Sequence, residues 1–317
     1  MPDNDEPHDD LRRILALRGF PGIDSLGLPE VTLIASNMVE RYLPAGTIVV
    51  RANTRPSLVH FVLRGRIDST SVNGVELAFG PRSIFGVLTG LSGELANSDA
   101  VAGVDTWTLA LTNADIDELL DEHFTLVRGV ARTLAAGIVA RLTRLPISHL
   151  AQNFAPSPAV VPEHELGLAE RILVLRSQQI GIGPKRIQAL ASIAREAEEL
   201  RLAQGTTVWR HGDAADASLV ILDGRLRVER ADGQSLTVSP VQLVGGLEAL
   251  GSASRWYDLV CETDARVLRI ERRQILDVLE DHTQVAREMV GGLARTLDRL
   301  LDVDIGQADA RPSWSSP

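Results

Sequence analysis

The sequence has a single cysteine, Cys261. An intrachain disulfide is therefore excluded, and a lone thiol suits a reducing compartment, so the expected location is the cytoplasm. It has a single lysine, Lys185, so nearly all positive charge is arginine, which we read as the codon usage of a GC-rich genome. Positive charge is also in deficit: 32 Lys and Arg face 42 Asp and Glu, for a net charge of −10. Such a chain is a poor default partner for nucleic acid or anionic lipid. No apolar run reaches the ~18 residues a membrane span needs, so no membrane partner is expected. The opening MPDNDEPHDD is acidic, which fits neither a secretory signal nor an Arg-rich transit peptide. None of the seven histidines pairs as H-x-H or H-x-x-x-H. That spacing argues against a metal site and against a cupin barrel. No P-loop, G-x-G-x-x-G or Ser/His/Asp order stands in a credible context. The expectation is a non-enzyme with no metal and no cofactor.

What is present is an internal repeat. Residue n matches residue n+159 over long ungapped stretches: Gly46 on Gly205, Val49 on Val208, Arg51 on Arg210, Leu63 on Leu222, Gly65 on Gly224 and Gly86 on Gly245. Asp105 falls on Asp264, Ile116 on Ile275 and His123 on His282. Upstream the offset slips to 158, where RILALR (13–18) meets RILVLR (171–176). This period is far longer than that of solenoids or propeller blades. Each copy is long enough to bury its own core, in a chain of 317 residues with 44% apolar content. The expected division is a disordered acidic tail at 1–10, domain one at 11–145, a Pro-rich linker at 146–168, domain two at 169–303 and a disordered tail at 304–317. Pro156, Pro158 and Pro162 make the linker extended and semi-rigid.

Within each copy the pattern reads helix, strands, helices. A short amphipathic helix holds the RIL-LR stretch, and a second has a proline in its first turn, Pro29 or Pro184. Short alternating segments follow, such as 58–63 and 218–222. Gly46/Gly205, Gly65/Gly224 and Asn73-Gly74/Asp232-Gly233 punctuate them. Asn-Gly and Asp-Gly favour tight hairpins. Regular short strands suggest a small sandwich or barrel. Asn113 is placed to cap the closing helix ADIDELLDE, and His123 and His282 to cap helix ends. The last helices step by four: Leu126, Val130, Leu134, Ile138, Leu142, and Val285, Met289, Leu293, Leu297, Leu301. Two roles stay open for these stripes, packing within the chain or a dimer seam. Gly291-Gly292 should cost the second helix about 1 kcal/mol each against alanine and suit a bend or a close helix crossing. Cys261 reads as a small buried hydrophobe in a strand. Arg225, Arg227 and Arg230 read as a solvated face or a partner patch. The fold class is α+β: two tandem β-roll, jelly-roll-like domains, each flanked by N- and C-terminal helices.

This order of helix, Gly-punctuated β-roll, Phe-Gly cassette and closing helices resembles the cyclic-nucleotide-binding domain family over roughly residues 11–142 and 170–301. The resemblance implies a cassette reading approximately F-G-E-L-A and, about eight residues on, P-R-A-A-T. There a helix N-terminus and an arginine hold the cyclic phosphate, and a glutamate takes the ribose hydroxyl. Copy one keeps Phe85-Gly86 but has Val87 for the glutamate and Ala96 for the arginine, so no cyclic nucleotide is expected there. Copy two keeps Gly245 and Arg255. Gly246 stands at the glutamate position, and Glu248 is two residues late. Trp256 and Tyr257 replace small residues beside the phosphate.

The implied ligand site is Gly245, Gly246, Leu247, Glu248, Arg255 and Trp256. Arg255 binds an anion or is a sheet-edge arginine. Trp256 and Tyr257 fill the core or stack on a base. Glu248 serves a ribose or is a solvated helix residue. The resemblance also offers two functions. One is a non-catalytic sensor taking a cyclic nucleotide or similar anion in domain two. The other is a ligand-free tandem domain acting as a protein-interaction or dimerisation module. A protein partner or homodimer is expected. Tandem copies are similar to the regulatory subunits of cyclic-nucleotide-dependent kinases, whose Arg-Arg arm is not matched, because Arg12-Arg13 repeats at Arg171 within a helix. Only 16 residues follow Leu301, too few for a helix-turn-helix, so direct DNA reading is not expected.

Overall fold

The computed structural model describes residues 7–23, 26–72, 74–148, 161–177 and 186–307. Asn73, Pro156, Pro158 and Pro184, on which turn and linker expectations fell, lie outside them. Copy one begins with α1 (Pro7–Leu17) and α2 (Leu28–Ser36). Pro29 lies in the first turn of α2, where its missing N–H costs nothing. Eight strands follow: β1 (Val39–Leu43), β2 (Ile48–Val50), β3 (Leu58–Arg64), β4 (Ile67–Ser71), β5 (Glu76–Phe79), β6 (Ile84–Phe85), β7 (Ser98–Ala102) and β8 (Thr106–Thr112). The short helix α3 (Val87–Ser92) interrupts them after β6, and α4 (Asn113–Glu122) and α5 (Phe124–Leu142) close the copy. Copy two repeats the plan. Its helices are α6 (Leu168–Ser177), α7 (Ile187–Glu196), α8 (Gly246–Gly251), α9 (Arg272–Asp281) and α10 (Thr283–Gln307). Its strands are β9 (Glu198–Leu202), β10 (Thr207–Trp209), β11 (Ala217–Asp223), β12 (Leu226–Glu229), β13 (Ser235–Val238), β14 (Leu243–Val244), β15 (Asp258–Cys261) and β16 (Ala265–Glu271).

Each copy is a pair of facing antiparallel sheets. In copy one they run β1-β8-β3-β6 and β2-β7-β4-β5; in copy two, β9-β16-β11-β14 and β10-β15-β12-β13. Even the register is kept: Trp107 pairs with Tyr42 as Arg266 pairs with Arg201. Gly46 and Gly205 occupy the same turn, each with φ of +82°. Their N–H groups bond to the equivalent carbonyls of Ala102 and Cys261. The architecture is therefore the tandem α+β pair of β-rolls that the repeat predicts. Inward-facing residues fill each roll: Val50, Val62, Ile67 and Phe85 in copy one, and Ile221, Leu226, Val228, Leu259 and Val267 in copy two. Cys261 is buried among the latter, as its strand position implied.

Spatially the chain forms two compact units, residues 1–130 with 294–317, and residues 131–293. The second half of α5 thus belongs to the unit containing copy two, and the end of α10 to the unit containing copy one. Of the apolar stripes, Leu126, Leu134, Ile138, Leu142, Val285, Met289 and Leu293 are buried. Helix α10 runs through Gly291-Gly292 unbroken.

Several local expectations are corrected. Helix α1 begins at Pro7, where a proline followed by acidic residues suits a first turn, and α10 continues to Gln307, so each helix runs into a stretch expected as a tail. Thr112, not Asn113, caps α4: its hydroxyl accepts from Asp115 N–H while the Asp115 carboxylate accepts from Thr112 N–H. Asn113 instead donates to Pro56 O. His123 and His282 do cap the ends of α4 and α9, as expected, and their backbone carbonyls also accept from the first turns of α5 and α10. Arg230 is not on a solvated face. It donates to Thr143 O at 2.7 Å and Leu145 O at 2.6 Å, closing orphan carbonyls past the end of α5.

Candidate functional site

The cassette of copy two starts at the hairpin edge, where β14 delivers Gly245 in the left-handed region with φ of 78°. Glycine is required there twice over. A Cβ would be strained at that φ and would stand 2.9 Å from the Trp209 ring and closer still to the Arg255 guanidinium. Gly246 and Leu247 then open α8, which is too short to have a dipole of consequence. Arg255 lies beyond it, in the loop entering β15. Its backbone is clamped by Asp213 O and Gly212 N–H, and Ala96 of copy one is clamped identically by Thr54 O and Asn53 N–H. The repeat thus places Ala96 and Arg255 on equivalent scaffolds.

A phosphate-binding role predicts an Arg255 side chain open to solvent, and the side chain is instead buried. It is 2% exposed. Nη1 donates to Gly245 O at 3.0 Å, and Nη2 donates to Ala217 O. Its guanidinium lies over the Trp209 ring, 3.9 Å from the centroid. Nε is buried without a hydrogen-bond partner, as is Nε1 of Trp209.

Glu248 corrects the reading as a solvated helix residue: it is 5% exposed. Burial pushes its carboxyl above the usual carboxylate range. The Arg255 charge and the facing Trp256 and Tyr257 side chains only partly oppose that. The Tyr257 hydroxyl is raised well above its usual range, first by burial and then by the Glu248 charge. Trp256 and Tyr257 meet edge to face at 5.1 Å, and Tyr257 lies 5.9 Å from Trp209. The Arg230 guanidinium sits 5.6 Å from the Trp256 ring centroid. All six sequence-derived site residues are therefore gathered on one turn and its approach. Trp209, Tyr257 and Arg230 join them. Sequence reasoning missed Trp209 as a member, although the repeat sets it against Val50, a substitution from aliphatic to indole in one copy only.

Copy one has the same skeleton without the chemistry. Gly86 has φ of 84°, but Val50, Thr89, Ala96, Asn97 and Ser98 stand where Trp209, Glu248, Arg255, Trp256 and Tyr257 stand in copy two. Beside the copy-two cluster, between β9, β10, β11 and β16, a cleft of about 360 Å³ reaches Trp209 and Arg255. The cassette helix also touches α5 directly. A Cβ on Gly251 would lie 3.0 Å from Ala136 N, so the two backbones are in van der Waals contact within unit 131–293.

The fold and this turn define a duplicated β-roll, with one cassette free of the charged pair and one carrying Glu248 and Arg255 among aromatic rings. The chain belongs to the cyclic nucleotide-binding domain family, whose model matches residues 40–123 and 199–282. A CRP-like cAMP-activated global transcriptional regulator from Mycobacterium tuberculosis is 23% identical over 35% of the chain and 52% of its own length. Patatin-like phospholipase domain-containing protein 6 from Pongo abelii is 21% identical over 85% of the chain and 17% of its own length. The chain thus spans about half or less of the curated relatives it matches. Among solved structures, the regulatory subunit of a cAMP-independent protein kinase A from Trypanosoma cruzi, bound to guanosine, is 13% identical. It aligns over 96% of the chain and 97% of its own, with a TM-score of 0.38. No helix among the described residues is long and apolar enough to cross a membrane. Among the same residues no group of three or more His, Cys, Asp or Glu is placed to hold a metal.

Proposed function

We propose that this chain is a non-catalytic regulatory module whose cassettes hold no cyclic nucleotide in the family manner, and whose output is contact with a protein partner. The observation that carries this reading is the inward turn of Arg255. A cyclic phosphate needs that guanidinium, and here it is committed to two backbone carbonyls and the Trp209 face. Recruiting it would break two charge-assisted bonds, each worth roughly 1.5–3 kcal/mol, before any ligand contact is made. Glu248, buried on the same turn, adds a carboxyl that repels an anion when ionised. Copy one offers no charge partner at all. The aromatic cluster instead braces α8, which leans on α5, while Arg230 ties the end of α5 to the Trp256 ring. A net charge of −10 favours a protein over a polyanion as partner.

One observation supports a second reading. The cleft reaching Trp209 and the unpartnered Arg255 Nε offers a place for an acceptor-bearing ligand in copy two, as a sensor requires. Calorimetry separates the two. The full chain is titrated to millimolar concentrations with cyclic AMP, cyclic GMP and cyclic dinucleotides, and its melting is followed alongside. The expected result is no saturable heat and no rise in melting temperature. Saturable binding that Arg255→Ala abolishes overturns the proposal in favour of the sensor.

A further inference from the structure

Each closing helix leaves the copy that it closes. Helix α5 starts in the unit of copy one, and from Ala131 it belongs to the unit built around copy two. Helix α10 starts in that second unit, and from Ala294 it belongs to the first. At the offset of 159, Val130 corresponds to Met289. The crossing in α10 falls after Leu293, four residues or about one helical turn later. The two helices therefore change units at nearly the same place.

After crossing, each helix meets the other copy's cassette helix. In unit 131–293, Gly251 at the end of α8 lies against α5, where a Cβ would stand 3.0 Å from Ala136 N and 3.4 Å from the Ala135 carbonyl carbon. In the unit of copy one, Arg295 of α10 donates through Nη1 to Ser92 O at the end of α3, at 3.1 Å, and its Nε stands 4.0 Å from Glu94. This is one contact made twice. Position 92 corresponds to 251, and position 136 to 295, at the repeat offset. A contact in which i meets j while j meets i is the mark of an isologous interface, the kind that identical subunits form with each other.

Burial follows the same correspondence. Leu134 and Ala135, just past the crossing in α5, are buried, and so are their equivalents Leu293 and Ala294 in α10. Only the chemistry at the point of contact differs. Copy two uses a glycine, so that two backbones meet with no side chain between them. Copy one uses a guanidinium to close a carbonyl at the end of α3, beside Arg55, which donates to Gly93 O at 3.2 Å.

We infer that α5 and α10, with the cassette helices they cross to, form a homodimer-type interface whose occupant is the other copy of the same chain. Each roll is the other's partner, and no second chain is taken at this surface. The apolar stripes are then both things their spacing allowed, packing within the chain and a dimer seam. The tether favours closure in one chain, because a flexible connection holds the second copy at about millimolar effective concentration. The arrangement also links the two cassettes. Helix α5 is unbroken, with Leu126 and Val127 buried in the unit of copy one and Ala135 against α8 in the other. None of this depends on what either cassette binds, so it fails or holds separately from the nucleotide titration.

Cross-linking tests it on the full chain. Cys261→Ala, the residue copy one carries as Ala102, removes the native thiol. Cysteine pairs are then closed with a short bis-maleimide at micromolar protein. The crossed pairs are Gly251→Cys with Ala136→Cys, and Ser92→Cys with Arg295→Cys. The same-copy pairs are Ser92→Cys with Ala136→Cys, and Gly251→Cys with Arg295→Cys. Both crossed pairs should close within one chain at least about tenfold faster than the same-copy pairs, and sedimentation should show a monomer. Melting curves establish which variants fold; if Gly251→Cys does not, the Ser92–Arg295 and Ser92–Ala136 pairs make the comparison alone. A second readout needs no new cysteine. Arg295→Ala, in copy two by sequence, should raise hydrogen exchange in α3 of copy one by about tenfold, the scale of one lost charge-assisted bond, and leave α8 unchanged. Same-copy pairs that close as fast as crossed ones overturn the inference. So do crossed pairs that link two chains, which place the exchange between molecules. Faster exchange in α8 but not in α3 overturns it as well.

Discussion

Arg255→Ala tests the closed cassette by stability rather than by ligand. Truncation removes the donors to Gly245 O and Ala217 O, exposes the Trp209 ring face to a void, and leaves Glu248 buried without its nearest cation. The two bonds alone set a scale of roughly 1.5–3 kcal/mol each. Removing one member of a buried charge pair typically costs about 3–5 kcal/mol, and these terms overlap rather than add. We expect a loss of about 3–5 kcal/mol, or roughly 10 °C in melting for a unit of this size. Urea and thermal unfolding of the full chain by circular dichroism measure it, and hydrogen exchange over residues 243–261 locates it. Two companions sharpen the test. Arg255→Lys keeps the charge but not the two-pronged reach, and should fall between wild type and alanine. Arg255→Met combined with Glu248→Gln removes both charges and should recover part of the loss. An Arg255→Ala protein within about 2 °C of wild type refutes the reasoning, since the guanidinium would then hold nothing that water cannot replace.

The remaining predictions concern the two rolls separately. His60, buried in copy one beside Thr108 at 3.1 Å, has its pKa lowered to about 4, first by burial and then by Arg41. The folded imidazole refuses a proton that the unfolded chain accepts below about 6.5, so copy one loses stability as pH falls from about 6.5 towards 4, by roughly 3 kcal/mol at the limit. His60→Leu with Thr108→Val, the pair copy two carries as Leu219 and Val267, should flatten that dependence in melting curves between pH 7 and 4.5; an unchanged slope refutes the assignment. Arg230→Ala frees two carbonyls beyond α5 and should cost about 1–3 kcal/mol, with faster hydrogen exchange over residues 143–147; protection equal to wild type would show that the cap is idle.

The repeat carried most of what was legible. Equal spacing of Gly46 and Gly205, Gly65 and Gly224, and Gly86 and Gly245 fixed the turns, because positive φ leaves glycine little competition. Turns at fixed intervals fixed the strands between them. The missing phosphate partners of copy one were also legible, since Val87 and Ala96 bear no charge in any conformation. The direction of the Arg255 side chain was not legible. A flexible side chain with five donors bonds to a ligand or to carbonyls equally well, and the choice depends on Gly245 O and Ala217 O, which sequence spacing does not place. Glu248 was misjudged for a related reason: one turn of helix has no periodicity from which to read its buried face. The grouping of the α5 end with unit 131–293 was hidden because a step-of-four stripe names a buried face without naming what covers it.

The two copies share the cassette backbone while differing in the side chains it carries. The backbone clamp around position 96 or 255 and the left-handed glycine before the cassette helix are kept in both, so the scaffold does not depend on what the pocket holds. Copy one carries the uncharged Val50, Thr89, Ala96, Asn97 and Ser98 at the positions of the copy-two cluster. Copy two kept the guanidinium and surrounded it with Trp209, Trp256 and Tyr257, so that the cost of a buried cation is offset by carbonyls, a ring face and Glu248. The outer sheet faces diverged the other way. Copy two covers its strip with its own chain through Arg266, and copy one replaces that cation with an exposed indole.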